Sequence, residues 1–329
     1  QLISSHRVYE AANSYLHWRV YGFFFAFINL MFRAFFVATT HTRTLTLNSV
    51  IMVLSNVVFN YTLIFGNFGF PALGIAGAAI GSSMAEAVST LFFIIYTWRS
   101  IPYSRYALNV LPHFKFHLLG HILGLSVWTM VQNFLSLGTW FIFFLSIEHL
   151  GEQPLAATNI IRNISSFTFM AVVALASTAS TLVSNLMGQG EPQSVRPMLR
   201  RTIIMAYGIL TPILLLIAIF PTEVMRIFTT DAPLMEAARV ALYVQLCSYF
   251  FSIPAQILFH AVSGTGNTRI AFVIEIGTLI VYTCYVAIAI FHLRLSLPWC
   301  WASEIVYSSI VLVLCYLYMR SGKWQSKQI

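Results

Sequence analysis

Residues 60–80 read Asn60-Tyr-Thr-Leu-Ile-Phe-Gly-Asn-Phe-Gly-Phe-Pro-Ala-Leu-Gly-Ile-Ala-Gly-Ala-Ala-Ile80. An apolar run reaches Phe65, the segment Gly66-Asn67-Phe68-Gly69-Phe70-Pro71 interrupts it, and a second apolar run built on small residues follows. Glycine reaches left-handed backbone without strain and proline offers no N–H, so this segment is a turn. Both flanks continue as apolar sequence, over 45–66 and 72–98. A bilayer crossing needs about 20 mostly apolar residues. The stretch is therefore the hairpin between two membrane helices.

Working outward, the same criterion marks further spans at 18–38, 118–147, 155–187, 202–220, 234–262, 270–291 and 297–319, nine in all. The run 155–187 is the most polar of them, rich in Thr, Ser and Asn, which suits a helix facing protein or a wet cavity. The composition agrees with lipid as the solvent. Of 329 residues, 58% are hydrophobic and 9% charged, and the mean hydropathy is +0.79. Soluble domains carry roughly a quarter charged residues. A soluble enzyme, a disordered chain and a disulfide-built secreted domain are excluded.

The formal charge of +8 raises the question of nucleic acid. The basic residues settle it by their placement. Arg43, Arg99, Arg105, Lys115, Arg196, Arg200, Arg201, Arg269, Arg320, Lys323 and Lys327 fall in alternate loops and the C-terminus, with Glu191 as the lone acid among them. The opposite loops hold Glu148, Glu152, Glu223 and Asp231 with Arg226 and Arg294. By the positive-inside rule the first set is cytoplasmic. The charge is a topology signal, the C-terminus is expected inside, and no nucleic-acid partner is expected.

An internal repeat organises the spans. Thr42-Arg43 returns as Thr268-Arg269, Pro71 as Pro298 and Tyr15 as Tyr243, at offsets of about 227 residues. Spans one to three thus match spans seven to nine in the same orientation, a parallel repeat. The fold class expected is an all-α polytopic membrane protein of two six-helix bundles, the first represented by three helices. Residues 1–98 form the second half of the first lobe, 99–117 a cytoplasmic linker, 118–320 the second lobe and 321–329 a cytoplasmic tail. Counterparts of spans four to six would occupy roughly 110 residues upstream, which with Gln1 at the start suggests a piece of a longer chain.

No P-loop, Cys-x-x-Cys or Gly-x-Ser-x-Gly appears, and Cys247, Cys284, Cys300 and Cys315 lie in or beside spans, as small buried groups do. His113, His117 and His121 have helical metal-ligand spacing. They fall in the linker among Phe114, Phe116 and Leu118, where an amphipathic interfacial turn accounts for them, and no metal is expected. Ionisable groups inside spans carry more weight, because a charge there is costly to hold. Glu86 lies near mid-span and is a candidate proton carrier. Glu304 lies two turns inside the last span, and Glu275 is read as the structural ion-pair partner of Arg269. Asn56 and Asn60 share a helix face, as do Asn159 and Asn163, and Gln132 with Asn133 interrupts an apolar run. Trp128 and Trp140 lie deeper, where core packing is the first expectation and a cavity wall that receives flat cations the second.

The hairpin Asn60–Ile80, the run Ala261-Val-Ser-Gly-Thr-Gly-Asn-Thr-Arg269 and the run Leu182-Val-Ser-Asn-Leu-Met-Gly-Gln-Gly190 together resemble the multidrug and toxic compound extrusion (MATE) transporters. The resemblance covers the whole chain from the family's fourth helix onward. It implies an alternating-access antiporter, not an enzyme, that exports amphipathic, cationic small molecules on a sodium or proton gradient. A multi-pass monomer in the bacterial inner membrane, without other cofactors, is implied too. Some proton-coupled members carry Asn and Asp four apart in the fifth helix, where this chain has Asn56 and Asn60. Sodium-coupled members place acids in the seventh and tenth helices, where this chain offers Gln132 and then Ser252, Pro254 and Gln256. The ion-coupling candidates are therefore Glu86, Asn56, Asn60, Glu304 and Gln132. The substrate-cavity candidates are Trp128, Asn133, Asn159, Asn163 and Gln256. The competing expectations are a lipid-linked oligosaccharide flippase of the same two-bundle plan, which would need several cavity cations, and a non-transporting truncated chain.

Overall fold

The computed structural model describes residues 6–102, 106 and 115–325. His113, Arg105 and most of the linker expected at 99–117 lie outside the described residues, as does Lys327 of the tail. Every regular element among the described residues is helical, and nine helices are long and apolar enough to cross a membrane. The chain divides into two compact units, Gln1–Phe114 and Lys115–Ile329.

The first unit holds α1 (His6–Ala38), α2 (Thr42–Phe65) and α3 (Gly74–Ser100). Helix α3 packs against both of the others, while α1 and α2 touch little. The 66–71 turn forms as the sequence predicts. Gly66 caps α2 in left-handed backbone at φ 71°, and Gly69 follows at φ 83°. Small residues then bring α3 onto α2. A Cβ on Gly77 would collide with the carbonyl of Leu63, and one on Gly81 would meet the Asn60 side chain at 2.6 Å. Toward the other end, Phe93 stacks between Phe32 and Phe36 at 5.4 and 5.5 Å, giving α1 and α3 an aromatic core.

Polar groups in this unit are partnered across the same seams. Asn48 and Ser89 exchange hydrogen bonds at 2.8 and 3.0 Å. Arg19 of α1 grips both carboxylate oxygens of Glu86 on α3, with Nη1–Oε2 at 3.0 Å. Asn29 donates to the Glu86 carbonyl at 2.9 Å. A mid-span carboxylate thus sits beside a fixed guanidinium.

The second unit holds α4 (Phe116–Glu148), α5 (Glu152–Gly188), α6 (Val195–Ile219), the short α7 (Pro221–Arg226), α8 (Ala232–Gly264), α9 (Thr268–Ala287, continued by a π-helical turn over Ile288–His292), the short α10 (Leu297–Trp301) and α11 (Ser303–Ser321). Helix α8 is its axis, packed against α5, α6, α9, α10 and α11. The polar run around 155–187 is part of the longest helix, α5, which packs most extensively on α8. That contact is tight at Gly264, where a Cβ would stand 2.5 Å from the Ser180 carbonyl, and Ser184 Oγ donates to the Gly264 carbonyl at 2.8 Å.

Pro254 lies inside α8 and leaves the Phe250 carbonyl without its intrahelical donor. The Tyr207 hydroxyl of α6 supplies one at 2.5 Å. In lipid, where water cannot do this, such a substitute donor is what lets a helix keep a proline. The third helix of each matched triplet packs on the two before it, α3 on α1 and α2, and α11 on α8 and α9. This contact pattern accompanies the sequence repeat. It does not equate Glu86 with Glu304, since Glu86 is in the middle of α3 and Glu304 in the first turn of α11.

Two outcomes are expected. Gly264→Ala lowers the melting temperature in detergent by the equivalent of about 1–3 kcal/mol through overpacking. Gly124→Ala, where a Cβ meets open space, leaves stability unchanged or raises it by up to about 1 kcal/mol. Equal shifts for the two variants would refute the close α5–α8 contact. Separately, Glu86→Gln strands Arg19 and lowers stability by about 1–3 kcal/mol, and adding Arg19→Gln recovers most of the loss. Failure of the double variant to recover would show that the pair is not the reason for the loss.

Candidate functional site

Helices α4, α5, α8, α9, α10 and α11 enclose a cavity of about 730 Å³ within the second unit. Its wall is rich in hydroxyl and amide groups, among them Gln132, Asn133, Ser136, Gln245, Ser252 and Gln256. Aromatic faces complete it. Trp140 stacks on Phe144 at 5.3 Å and meets Trp301 edge-on at 6.4 Å. Trp301 is fully buried and its indole N–H has no protein partner.

Two carboxylates reach this wall, both from the last part of the chain. Glu275 lies two turns into α9 and is 2% exposed. It accepts from the Ser136 hydroxyl of α4 at 2.5 Å and from the Tyr307 hydroxyl of α11, which lies 2.9 and 3.0 Å from its two oxygens. Glu304 accepts from the Tyr282 hydroxyl of α9 at 3.4 Å. The rings of Tyr282 and Tyr307 meet edge-on at 6.0 Å. Against these two acids the wall carries one guanidinium, Arg162, which lies over the Phe144 ring at 5.1 Å. His260 contributes a ring whose Nδ1 is 3.0 Å from the Gln256 carbonyl. A cavity with two carboxylates, one guanidinium and flat aromatic surfaces holds an organic cation better than an anion.

The sequence candidates divide between the units. Gln132, Asn133, Gln256 and Glu304 line the cavity, as does Trp140. Trp128, Asn159 and Asn163 do not lie on its wall. Trp128 packs on Phe272 at 5.1 Å and Asn159 turns back to its own helix at the Leu155 carbonyl, 3.1 Å away. Asn163 is exposed elsewhere on α5. Glu86, Asn56 and Asn60 belong to the first unit. There Asn60 donates to Asn56 at 3.0 Å, Asn56 to Ser82 at 3.3 Å, and the buried Asn60 Oδ1 has no partner. Among the described residues no cluster of three or more His, Cys, Asp or Glu is placed to hold a metal.

The expected Glu275–Arg269 ion pair is not formed. Arg269 instead covers the Trp128 ring at 5.7 Å, and Glu275 turns to neutral hydroxyls. The two residues are six apart on one helix, which puts them on different faces. The sequence also passed over Ser136, Tyr282 and Tyr307. Their one visible signal is spacing, since Tyr282 is two turns from Glu275 and Tyr307 one turn from Glu304.

Residues 129–289, which include most of this wall, match the MatE family model. The chain is 26% identical over 309 residues to the "Probable multidrug resistance protein NorM" of Thermotoga maritima, covering 92% of this chain and 65% of that one. It is 23% identical to the "Probable multidrug resistance protein YoeA" of Bacillus subtilis, with 98% and 70% covered. The chain therefore spans about two thirds of the length of these relatives. A crystal structure of MATE in the bent conformation superposes with a TM-score of 0.81 at 17% identity, over 97% of this chain and 70% of that one. An outward-facing multidrug resistance MATE family transporter of the MOP superfamily gives 0.71 at 16% identity, over 84% and 61%. The nine-span helical plan is that of the solved MATE structures, and the residues around the cavity are among those that match the MatE model.

Proposed function

We propose that this chain is part of a secondary transporter of the bacterial inner membrane that exports amphipathic organic cations in exchange for protons or sodium ions. One observation carries the reading. The second unit holds an aromatic, hydroxyl-rich cavity whose wall carries two carboxylates and one guanidinium, with the His260 ring beside them. An organic cation entering it gains two things at once, carboxylate attraction in a setting with less water to screen it than bulk solvent and a flat face on Trp140. Protons or sodium ions compete for the same oxygens, and that competition converts an inward ion gradient into outward movement of the larger cation.

The printed names of the relatives, which speak of multidrug resistance, support this substrate class. Alternating access is supported by the bent, straight and outward-facing forms in which similar structures were solved. The single cavity guanidinium fits export of cations better than flipping of an anionic lipid-linked sugar. The Arg-rich loop ends, with Arg196, Arg200, Arg201 and Arg320, support a cytoplasmic C-terminus.

The direct test loads proteoliposomes containing the protein with a lipophilic cationic dye and imposes a proton or a sodium gradient. Saturable efflux that follows one of the gradients is expected, and efflux indifferent to both overturns the reading. In binding experiments, replacing Glu275 and Glu304 together by Gln weakens tetraphenylphosphonium affinity at least about tenfold, or ~1.4 kcal/mol. Arg162→Ala, which removes the like charge, leaves that affinity unchanged or raises it. Tight binding that survives the double Gln substitution would place the cation elsewhere.

A further inference from the structure

Each carboxylate on the cavity wall takes its tyrosine donor from the helix that carries the other. Glu275 of α9 accepts from Tyr307 of α11, and Glu304 of α11 accepts from Tyr282 of α9. Both donors and both acceptors are thus fixed to the same two helices. Any slide or rotation of α11 against α9 changes both bonds together, since packed helices move as rigid elements. The two tyrosine rings, edge to face at 6.0 Å, fill the space between the crossed bonds.

The groups around this seam are accounted for. From α4 come the neutral Gln132 and Ser136, and from α5 Arg162, seated over Phe144. From α8 come His260, held near the Gln256 carbonyl, and Tyr249, which donates to the Ser165 carbonyl at 2.8 Å. From α10 comes Cys300, whose thiol lies against the Leu295 carbonyl, and from α11 the buried Cys315. Neither carboxylate has a Lys, Arg or His within ion-pair distance among the described residues. That sets them apart from Glu86, which Arg19 holds. A carboxylate in a membrane span partnered by neutral hydroxyls is completed by a small cation or by a proton.

We propose that Glu275 and Glu304 are one exchange unit, coupled through Tyr307 and Tyr282, that takes up two small monovalent cations together and releases both when an organic cation enters. The proposal rests on the exporter reading above and adds the residues, the number of coupling ions and their cooperativity. With protons as the ions, uptake forms one carboxyl O–H bond at each glutamate. Release breaks both and passes the two protons to water in the cavity. In the protonated form each carboxyl group can donate to its tyrosine oxygen, so the crossed bonds survive with their direction reversed. With sodium, the same oxygens act as ligands and no covalent bond changes.

The test measures tetraphenylphosphonium binding to the purified full chain in lipid nanodiscs, read by quenching of cavity tryptophan fluorescence. One arm varies pH without sodium, and the other varies sodium at fixed alkaline pH. The competing ion is expected to displace the probe with a Hill coefficient of about 2 in one arm, as for two coupled sites. Tyr307→Phe and Tyr282→Phe each bring that coefficient to about 1, and Glu304→Gln, which leaves one carboxylate, does so as well. Melting temperatures within a few degrees of the unaltered chain confirm that the variants are folded. A coefficient of about 1 for the unaltered chain in both arms overturns the coupled unit while leaving the exporter reading intact, and so does one that stays near 2 in all three variants. Absence of probe binding at any pH or sodium level overturns both.

Discussion

Inside lipid, a polar or charged group that finds no partner within the protein finds none at all, and the packing of this chain follows from that constraint. Pro254 breaks the hydrogen-bond ladder of α8, so Tyr207 must reach across from α6 to the Phe250 carbonyl. Asn48 and Ser89 satisfy one another between α2 and α3. Close approach makes such bonds possible, because side-chain hydroxyls and amides span only a few ångströms. Gly77 and Gly264 permit it by lacking a Cβ where another helix's carbonyl passes. Hydrophobic attraction does little to join helices already dissolved in lipid, so the fit of backbone to backbone and the polar contacts it allows do most of the work.

The same constraint produces two different outcomes for intramembrane acids. Glu86 is matched by the guanidinium of Arg19 within the first unit. Glu275 and Glu304 face an enclosed space with only hydroxyl donors beside them. A carboxylate with a built-in cation partner is poorly placed to exchange ions, because each exchange must first break that pair. A carboxylate with hydroxyl partners keeps them in either protonation state, since a hydroxyl both donates and accepts. Reversible cation binding is therefore easier to reconcile with the second arrangement than with the first.

Local signals carried the helical plan. Gly66 and Pro71 marked the hairpin because left-handed backbone and a missing N–H are properties of single residues. Span number followed from runs of apolar residues, and the repeat from the spacing of short matches such as Thr42-Arg43 with Thr268-Arg269. The cavity was only partly legible. Gln132 and Asn133 stood out as polar residues in an apolar run, and Gln256 came through the family resemblance, but polarity within a span also picked Asn159, whose side chain serves its own backbone. Arg19 escaped notice because it lies at the edge of an apolar run, where a long side chain would ordinarily reach toward the interface. It turns instead to Glu86, and that choice is made by the contact between α1 and α3. Tyr282 and Tyr307 are unremarkable as single residues, since their meaning lies in which carboxylate each one faces across a seam.

On the proposed exporter reading, that seam bears on how dissimilar cations could be bound and their passage still coupled to ions. The cavity wall is made of flat rings and small hydroxyls contributed by six helices, none of which demands a particular ligand shape. Coupling needs the opposite, a small number of groups with fixed geometry. The crossed carboxylates and tyrosines proposed for it are gathered on α9 and α11, with Ser136 and Phe143 of α4 beside them. The two requirements are separated in space yet share one cavity. On that proposal, a bulky cation acts on the crossed carboxylates through its charge alone, whatever the shape of the rest of the molecule, because electrostatic attraction acts over several ångströms.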